Sequence, residues 1–119
     1  MKTYKDLIVW QKSIELAKEI YNLTESFPKD EIYGITSQMR RAAVSIASNI
    51  AEGKLRGYEV EFKRFLLISF GSGGELETQI EIAKQLDKTK DFDYLKVDLL
   101  LDEVMKMLNK LISQLASKA

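Results

Sequence analysis

Hydrophobic residues recur at helical spacing in four separate segments of the chain. In the first segment, from about Leu7 to Ser26, one row is spaced by alternating steps of four and three residues: Trp10, Ile14, Ala17, Tyr21 and Thr24. This apolar stripe is widened by Leu16, Ile20, Leu23 and Phe27. The last segment repeats this alternation strictly, at Tyr94, Val97, Leu101, Val104, Leu108, Leu111 and Leu115. Such spacing keeps one face of a helix toward a neighbour, so both segments are predicted to be amphipathic helices.

Polar residues and glycines predict where two of the helices begin or end. Asp6 is a candidate N-cap of the first helix, because its carboxylate can accept a hydrogen bond from an unpaired backbone N–H. Thr36 or Ser37 can cap a second helix in the same way. That helix is predicted to run to about Glu52, and Gly53 suits the left-handed position that closes a helix.

A third helix is predicted from near Tyr58 to about Leu86. It crosses the sequence Gly71-Ser72-Gly73-Gly74, where each glycine costs the helix about 0.5–1 kcal/mol relative to alanine. A break with a new start at Ser72 is the alternative. We favour a continuous helix in which the glycines permit close contact with another helix.

Four helices joined by short connectors predict an all-α fold, an antiparallel up-and-down four-helix bundle. The length of 119 residues fits a single domain over residues 1–119. Leu67, Ile68 and Phe70 place apolar residues on further faces of the third helix. A helix that is apolar nearly all round is either central or in contact with another subunit, so these three residues are a candidate oligomer interface.

The chain contains neither cysteine nor histidine. This excludes thiolate chemistry, Ser-His catalysis and the usual zinc sites. A carboxylate-only metal site at Glu75, Glu77 and Glu81 is outweighed by an ordinary solvated helix surface, and an enzyme using Glu52, Glu75 or Glu77 is the least supported hypothesis. We therefore expect no enzymatic activity, no metal and no cofactor, and we identify no small-molecule substrate.

Hydropathy and total charge bear on partners and location. No apolar run approaches the ~18 residues needed to span a membrane, and the N-terminal residues lack the apolar core of a signal peptide. We therefore expect a cytoplasmic protein with no membrane partner. The chain carries 18 basic and 18 acidic residues, so its total charge attracts neither nucleic acid nor anionic lipid.

A row of polar residues follows the predicted second helix beside its apolar face. With Glu75 of the third helix it forms a candidate polar seam: Gln38, Arg41, Ser45, Asn49, Glu52 and Glu75. A binding groove or catalytic row is one interpretation. We favour a hydrogen-bonded seam between two helices, because a serine with no nearby general base is a poor nucleophile and packed polar groups satisfy one another.

Basic residues are concentrated in the second helix and the start of the third. The candidate nucleic-acid-binding residues are Arg40, Arg41, Lys54, Arg56, Lys63 and Arg64. Arginine suits bidentate contact with phosphate, and the connector between the two helices should bring the last four together. Nucleic-acid-binding domains usually carry an overall basic excess. A mixed solvated surface is therefore the favoured interpretation, and phosphate binding the alternative.

Several motifs resemble a known family. These are SQMRRAAVSIASNIAEG at residues 37–53, DLIVWQ at 6–11, EFKRFL at 61–66 and SGGELETQ at 72–79. Together they are similar to the 23S rRNA intervening-sequence protein family, also called the four-helix-bundle protein family. The resemblance implies an up-and-down bundle that assembles into a ring, typically a homopentamer. A similar fold occurs in retroelement accessory proteins that contact nucleic acid through a basic surface, whereas this chain is neutral overall.

Two functional hypotheses follow from the sequence and the resemblance. The first is a non-enzymatic homo-oligomeric bundle that acts as a scaffold or binding module for RNA. The second is a protein-directed adaptor with no nucleic-acid role.

Overall fold

The computed structural model describes residues 2–115 and contains four long helices. They are α1 (Ile8–Glu25), α2 (Ile35–Leu55), α3 (Glu59–Gln85) and α4 (Leu95–Gln114). Two short 3-10 turns, Tyr4–Asp6 and Lys29–Glu31, precede α1 and α2, and no strand occurs within the described range. The predicted all-α fold is confirmed.

The helices pack in ring order, so that each contacts the helices before and after it. α1 packs on α2 and α4, and α3 packs on the same two helices, while the diagonal pairs have no Cα atoms within 8 Å of each other in residues 2–115. Side-chain contacts between Ser45 and Ser72 and between Ser69 and Ile46 show that α2 and α3 run antiparallel. The result is an elongated up-and-down bundle of 48 × 25 × 23 Å.

The core uses one helical face from each element. On α4 the predicted row supplies buried Val97, Leu101, Val104 and Leu108, with Leu111 half-buried. On α1 the predicted row is wrong in part, because Ile14 and Tyr21 are exposed. The buried residues of α1 are Val9, Ser13, Leu16, Ile20 and Thr24. Thr24 belongs to the predicted row, and Leu16 and Ile20 belong to the residues that were predicted to widen it.

The predicted helix caps are wrong at three places. Asp6 lies in the first 3-10 turn, where its carboxylate accepts hydrogen bonds from the backbone N–H groups of Lys2 and Thr3. Leu7 occupies the N-cap position of α1 and makes no side-chain cap. At α2 the N-cap is Gly34, so neither Thr36 nor Ser37 caps that helix, and both lie in its first turn.

Gly53 does not close α2, which continues to Leu55. A β-carbon at Gly53 would lie 2.6 Å from Cβ of Phe65, so the glycine permits the backbone of α2 to pack directly on α3. The left-handed position belongs to Gly57, with φ of 83°, one residue after the C-cap Arg56. The later glycine closes the helix because the earlier one is buried between helices.

α3 runs without a break through Gly71–Gly74, as predicted. A β-carbon at Gly73 would overlap the sulfur of Met105, so this glycine leaves room for the Met105 side chain of α4 against α3. The other two glycines, Gly71 and Gly74, have no side-chain neighbour within 4 Å of that position. Only one of the three glycines therefore serves packing within the bundle.

Candidate functional site

The interface between α2 and α3 contains a short hydrogen-bonded seam. The hydroxyl groups of Ser45 and Ser72 lie 2.8 Å apart. Asn49 Nδ2 donates to both the carbonyl and the hydroxyl of Ser45, at 2.8 and 3.0 Å. One turn along, the buried Ser69 hydroxyl donates to the Ile46 carbonyl at 2.7 Å. Ser69 and Ser72 were not predicted as residues of this seam, although their spacing of three places both on the α2-facing side of α3.

The other residues of the predicted seam lie outside this hydrogen-bonded group. Gln38, Arg41 and Glu75 line an open groove of about 460 Å³ beside Ser45. Arg41 and Glu75 form no ion pair in the described part of the chain. Glu52 instead pairs with Arg56 at 3.0 Å, one turn further along α2. The structure thus places Ser45 and Asn49 in the seam and Glu52 on the solvent side.

Arg56 and Arg64 face each other across the α2–α3 connector and are neutralised there. Arg56 pairs with Glu52, and Arg64 Nε lies 3.0 Å from Glu61. The guanidinium groups lie over the ring of Phe65, with centroid distances of 5.0 and 4.5 Å. The hydrogen bond between Arg64 and Glu61 raises the pKa of the guanidinium and lowers that of the carboxyl. Both arginines are therefore already paired with carboxylates.

The two lysines of the basic group behave differently from these arginines. Lys54 is exposed, and its Nζ lies 5.2 Å from the ring centroid of Phe62. Lys63 is half-buried on the first turns of α3. Neither lysine forms an ion pair within residues 2–115, so both retain an uncompensated charge near the connector.

Arg40 and Arg41 lie toward the opposite end of α2. Arg40 Nε donates to Thr24 Oγ1 at 2.9 Å, and the guanidinium lies 4.6 Å from the ring centroid of Tyr21. Thr24 is buried and donates its own hydrogen to the Ile20 carbonyl at 2.7 Å. Neither arginine pairs with a carboxylate in the described part of the chain, so the basic group divides into two separate clusters.

A groove runs between α1 and the first turns of α2, beside both arginines. Its central part has a volume of about 490 Å³ and is lined by Tyr21, Ile32, Thr36, Ser37, Arg40, Arg41, Val44 and Ser45. It continues toward Phe27 and Pro28 as a second depression of about 540 Å³. Thr36 borders both parts, and its buried hydroxyl has no hydrogen-bond partner in residues 2–115. Apart from the paired arginines, no pattern in the sequence predicts this groove.

The predicted oligomer interface divides between surface and core. Leu67 is 51% exposed and Ile68 is 42% exposed. Phe70 is half-buried and packs against the core. On the solvent side of α3, Leu67 lies in a row with other apolar and small residues, at Val60, Leu67, Gly71, Gly74, Thr78 and Ile82. We call this row the outer face of α3.

The described residues contain neither a cluster of metal ligands nor a membrane-spanning helix. No group of three or more carboxylates within residues 2–115 lies close enough together to hold a metal ion. No helix in the same range has the length and hydropathy required to cross a bilayer. Glu75, Glu77 and Glu81 are exposed on α3.

Comparison with known proteins gives a match to one family along most of the chain. The matching model is described as 23S rRNA-intervening sequence protein and covers residues 5–110. The matched region contains all of α1, α2 and α3 and most of α4. No curated protein shows a significant match to the chain.

Proposed function

We propose a function from one premise: the chain belongs to the 23S rRNA-intervening sequence protein family, whose model matches residues 5–110. In this proposal the protein is a non-enzymatic, cytoplasmic scaffold that works as a homo-oligomer. The observation that supports assembly is the outer face of α3, which combines exposed apolar side chains with open glycines.

The members of the outer face follow each other at steps of seven, four, three, four and four residues, so they share one side of α3. Arg64 lies on the same side, between Val60 and Leu67. From Val60 to Ile82 the row extends about 33 Å at 1.5 Å per residue. Gly71 and Gly74, in its middle, leave open space where β-carbons would stand. Apolar residues along this length, with a central depression, suit the close approach of a helix from a second copy.

Light scattering of paired variants tests this surface. Leu67→Glu places a charge in the middle of the outer face, and we expect a lower molecular mass with unchanged helicity. The control is Ile8→Glu, because Ile8 is similarly exposed, at 59%, and lies on α1, diagonal to α3. Leu67 is a better position for this test than Phe70, because the Phe70 ring also packs against the core and its replacement would affect stability as well as assembly. An unchanged mass for Leu67→Glu would place the interface elsewhere, and wild-type protein at pentamer mass would match the family resemblance.

RNA binding is the second candidate function, and Arg40 and Arg41 support it because no carboxylate neutralises them in residues 2–115. Arginine–phosphate contacts release counterions, so affinity should fall steeply with salt. We expect Arg41→Glu to weaken RNA binding and to reduce the logarithmic salt slope by about one. Lys106→Glu is the control, since Lys106 lies on α4, away from the groove and from the outer face of α3, and already pairs with Asp102. If wild type binds no RNA at low salt, the protein-directed adaptor becomes the better hypothesis.

A further inference from the structure

We propose that the groove between α1 and α2 is a binding site for a nucleotide phosphate, held by Arg40, Arg41 and Thr36. The inference deepens the RNA-binding proposal and rests on it where the phosphate belongs to RNA. It is independent of assembly, because the groove lies on α1 and α2 and the outer face lies on α3.

The guanidinium of Arg40 is fixed in position before any ligand arrives. Its Nε–H is bonded to Thr24 and its flat face lies on Tyr21. The Nη groups form no hydrogen bond within residues 2–115, so they keep their donors for a ligand. A guanidinium held in this way loses little conformational entropy on binding. Two parallel N–H donors match the oxygen spacing of a phosphate.

Thr36 supplies the second and independent observation. A helical threonine or serine commonly donates to a backbone carbonyl one turn earlier, as Ser13 and Thr24 do here. Thr36 is only 4% exposed, yet its hydroxyl has no partner in the described residues. A buried hydroxyl left without a partner is costly. The Thr36 side chain lines both parts of the groove, and rotation about its Cα–Cβ bond would bring the hydroxyl to a ligand oxygen seated there.

Charge and shape indicate the class of ligand. Two arginines without carboxylate partners favour an anion. The adjoining wall is apolar, because Ile32, Val44 and Tyr21 are all partly exposed beside the arginines. An anion attached to a flat organic group uses both features, whereas inorganic phosphate uses only the first. A nucleotide, free or within an RNA chain, has this combination.

Calorimetric titration with AMP and with adenosine tests the site on the intact protein. We expect AMP to bind more tightly than adenosine, because only AMP carries the phosphate. Thr36→Val and Arg40→Gln should each weaken AMP binding about tenfold or more, as expected for a hydrogen bond to a charged group. Thr36→Val should fold at least as stably as wild type, because it removes an unpartnered hydroxyl. Arg64→Gln, outside the groove, should bind as wild type does.

A short oligoribonucleotide separates the two sources of phosphate. AMP binding identifies a free nucleotide as a sufficient ligand, and binding confined to the oligoribonucleotide identifies the phosphodiester. If Thr36→Val binds the oligoribonucleotide as tightly as wild type does, the groove is not the phosphate site, but the RNA-binding proposal stands. The groove proposal is also refuted if AMP and adenosine bind with equal affinity and Thr36→Val has no effect on oligoribonucleotide binding. AMP binding without RNA binding would support the groove and refute the RNA proposal.

Discussion

Replacing Gly53 by alanine tests the close packing between α2 and α3. The added methyl carbon would lie 2.6 Å from Cβ of Phe65 and 3.3 Å from the carbonyl oxygen of Phe62. Both atoms belong to or adjoin the α3 backbone, so a change of side-chain rotamer cannot relieve the overlap. Overpacking of this kind costs about 1–3 kcal/mol.

A compensating gain must be subtracted from that cost. Alanine is favoured over glycine inside a helix by about 0.5–1 kcal/mol, and the gain is smaller at Gly53 because α2 ends two residues later, at Leu55. We therefore expect Gly53→Ala to lower the free energy of unfolding by about 1–2 kcal/mol. For a chain of this size the corresponding fall in Tm is about 3–8 °C.

Gly71→Ala is the matched control, because its β-carbon meets no atom within 4 Å. This variant should be more stable than wild type by about 0.5–1 kcal/mol. Both are measured by urea unfolding at two protein concentrations, since Gly71 lies on the outer face of α3 and an effect on assembly would depend on concentration. If Gly53→Ala were as stable as Gly71→Ala, close approach of the two backbones would not explain the glycine at position 53.

The remaining predictions concern the core, the surface and alkaline pH. Leu108→Ala should lower the free energy of unfolding by about 2–5 kcal/mol in urea titrations, because Leu108 is fully buried. Lys88→Ala should leave the urea midpoint unchanged, since the pair between Lys88 and Asp30 is exposed on both sides. Burial raises the pKa of Tyr94 above its ordinary value of 10.0, so the neutral phenol stabilises the fold below that pH and this contribution is lost as pH rises through the folded-state pKa. Tyr94→Phe should lose the hydrogen bond to the Thr89 carbonyl, about 1 kcal/mol at pH 7, and its stability should then fall less steeply than wild type above pH 10.

Helix positions were predictable because hydrophobic spacing depends only on the geometry of one helix. The spacing on α4 identified its buried face correctly at Val97, Leu101, Val104 and Leu108. On α1 the apolar residues form a wider stripe, and spacing alone does not decide which side of that stripe is buried. The choice depends on neighbours, because the Tyr21 ring lies under the guanidinium of Arg40 on the surface instead of filling the core.

The helix ends and the site depended on contacts between distant residues. Gly53 and Gly57 are equally plausible helix terminators in sequence, and only the approach of Phe65 excludes the first. Likewise, the six basic residues form one group in sequence. In the fold, Arg56 pairs with Glu52 and Arg64 pairs with Glu61. The unpartnered hydroxyl of Thr36 has no sequence signal, because a threonine in a first helical turn is ordinarily a capping residue.

The position of the groove relative to the outer face of α3 links the two proposals. α1 and α3 are diagonal in the bundle, so an assembly built through α3 would leave the Arg40 groove of every copy open. A single groove with two arginines is expected to bind one phosphate weakly. Several copies held at fixed spacing would raise the effective concentration for a ligand that carries many phosphates. A protein with no net charge could then retain RNA through repetition of a small site, and Leu67→Glu should weaken RNA binding without weakening AMP binding.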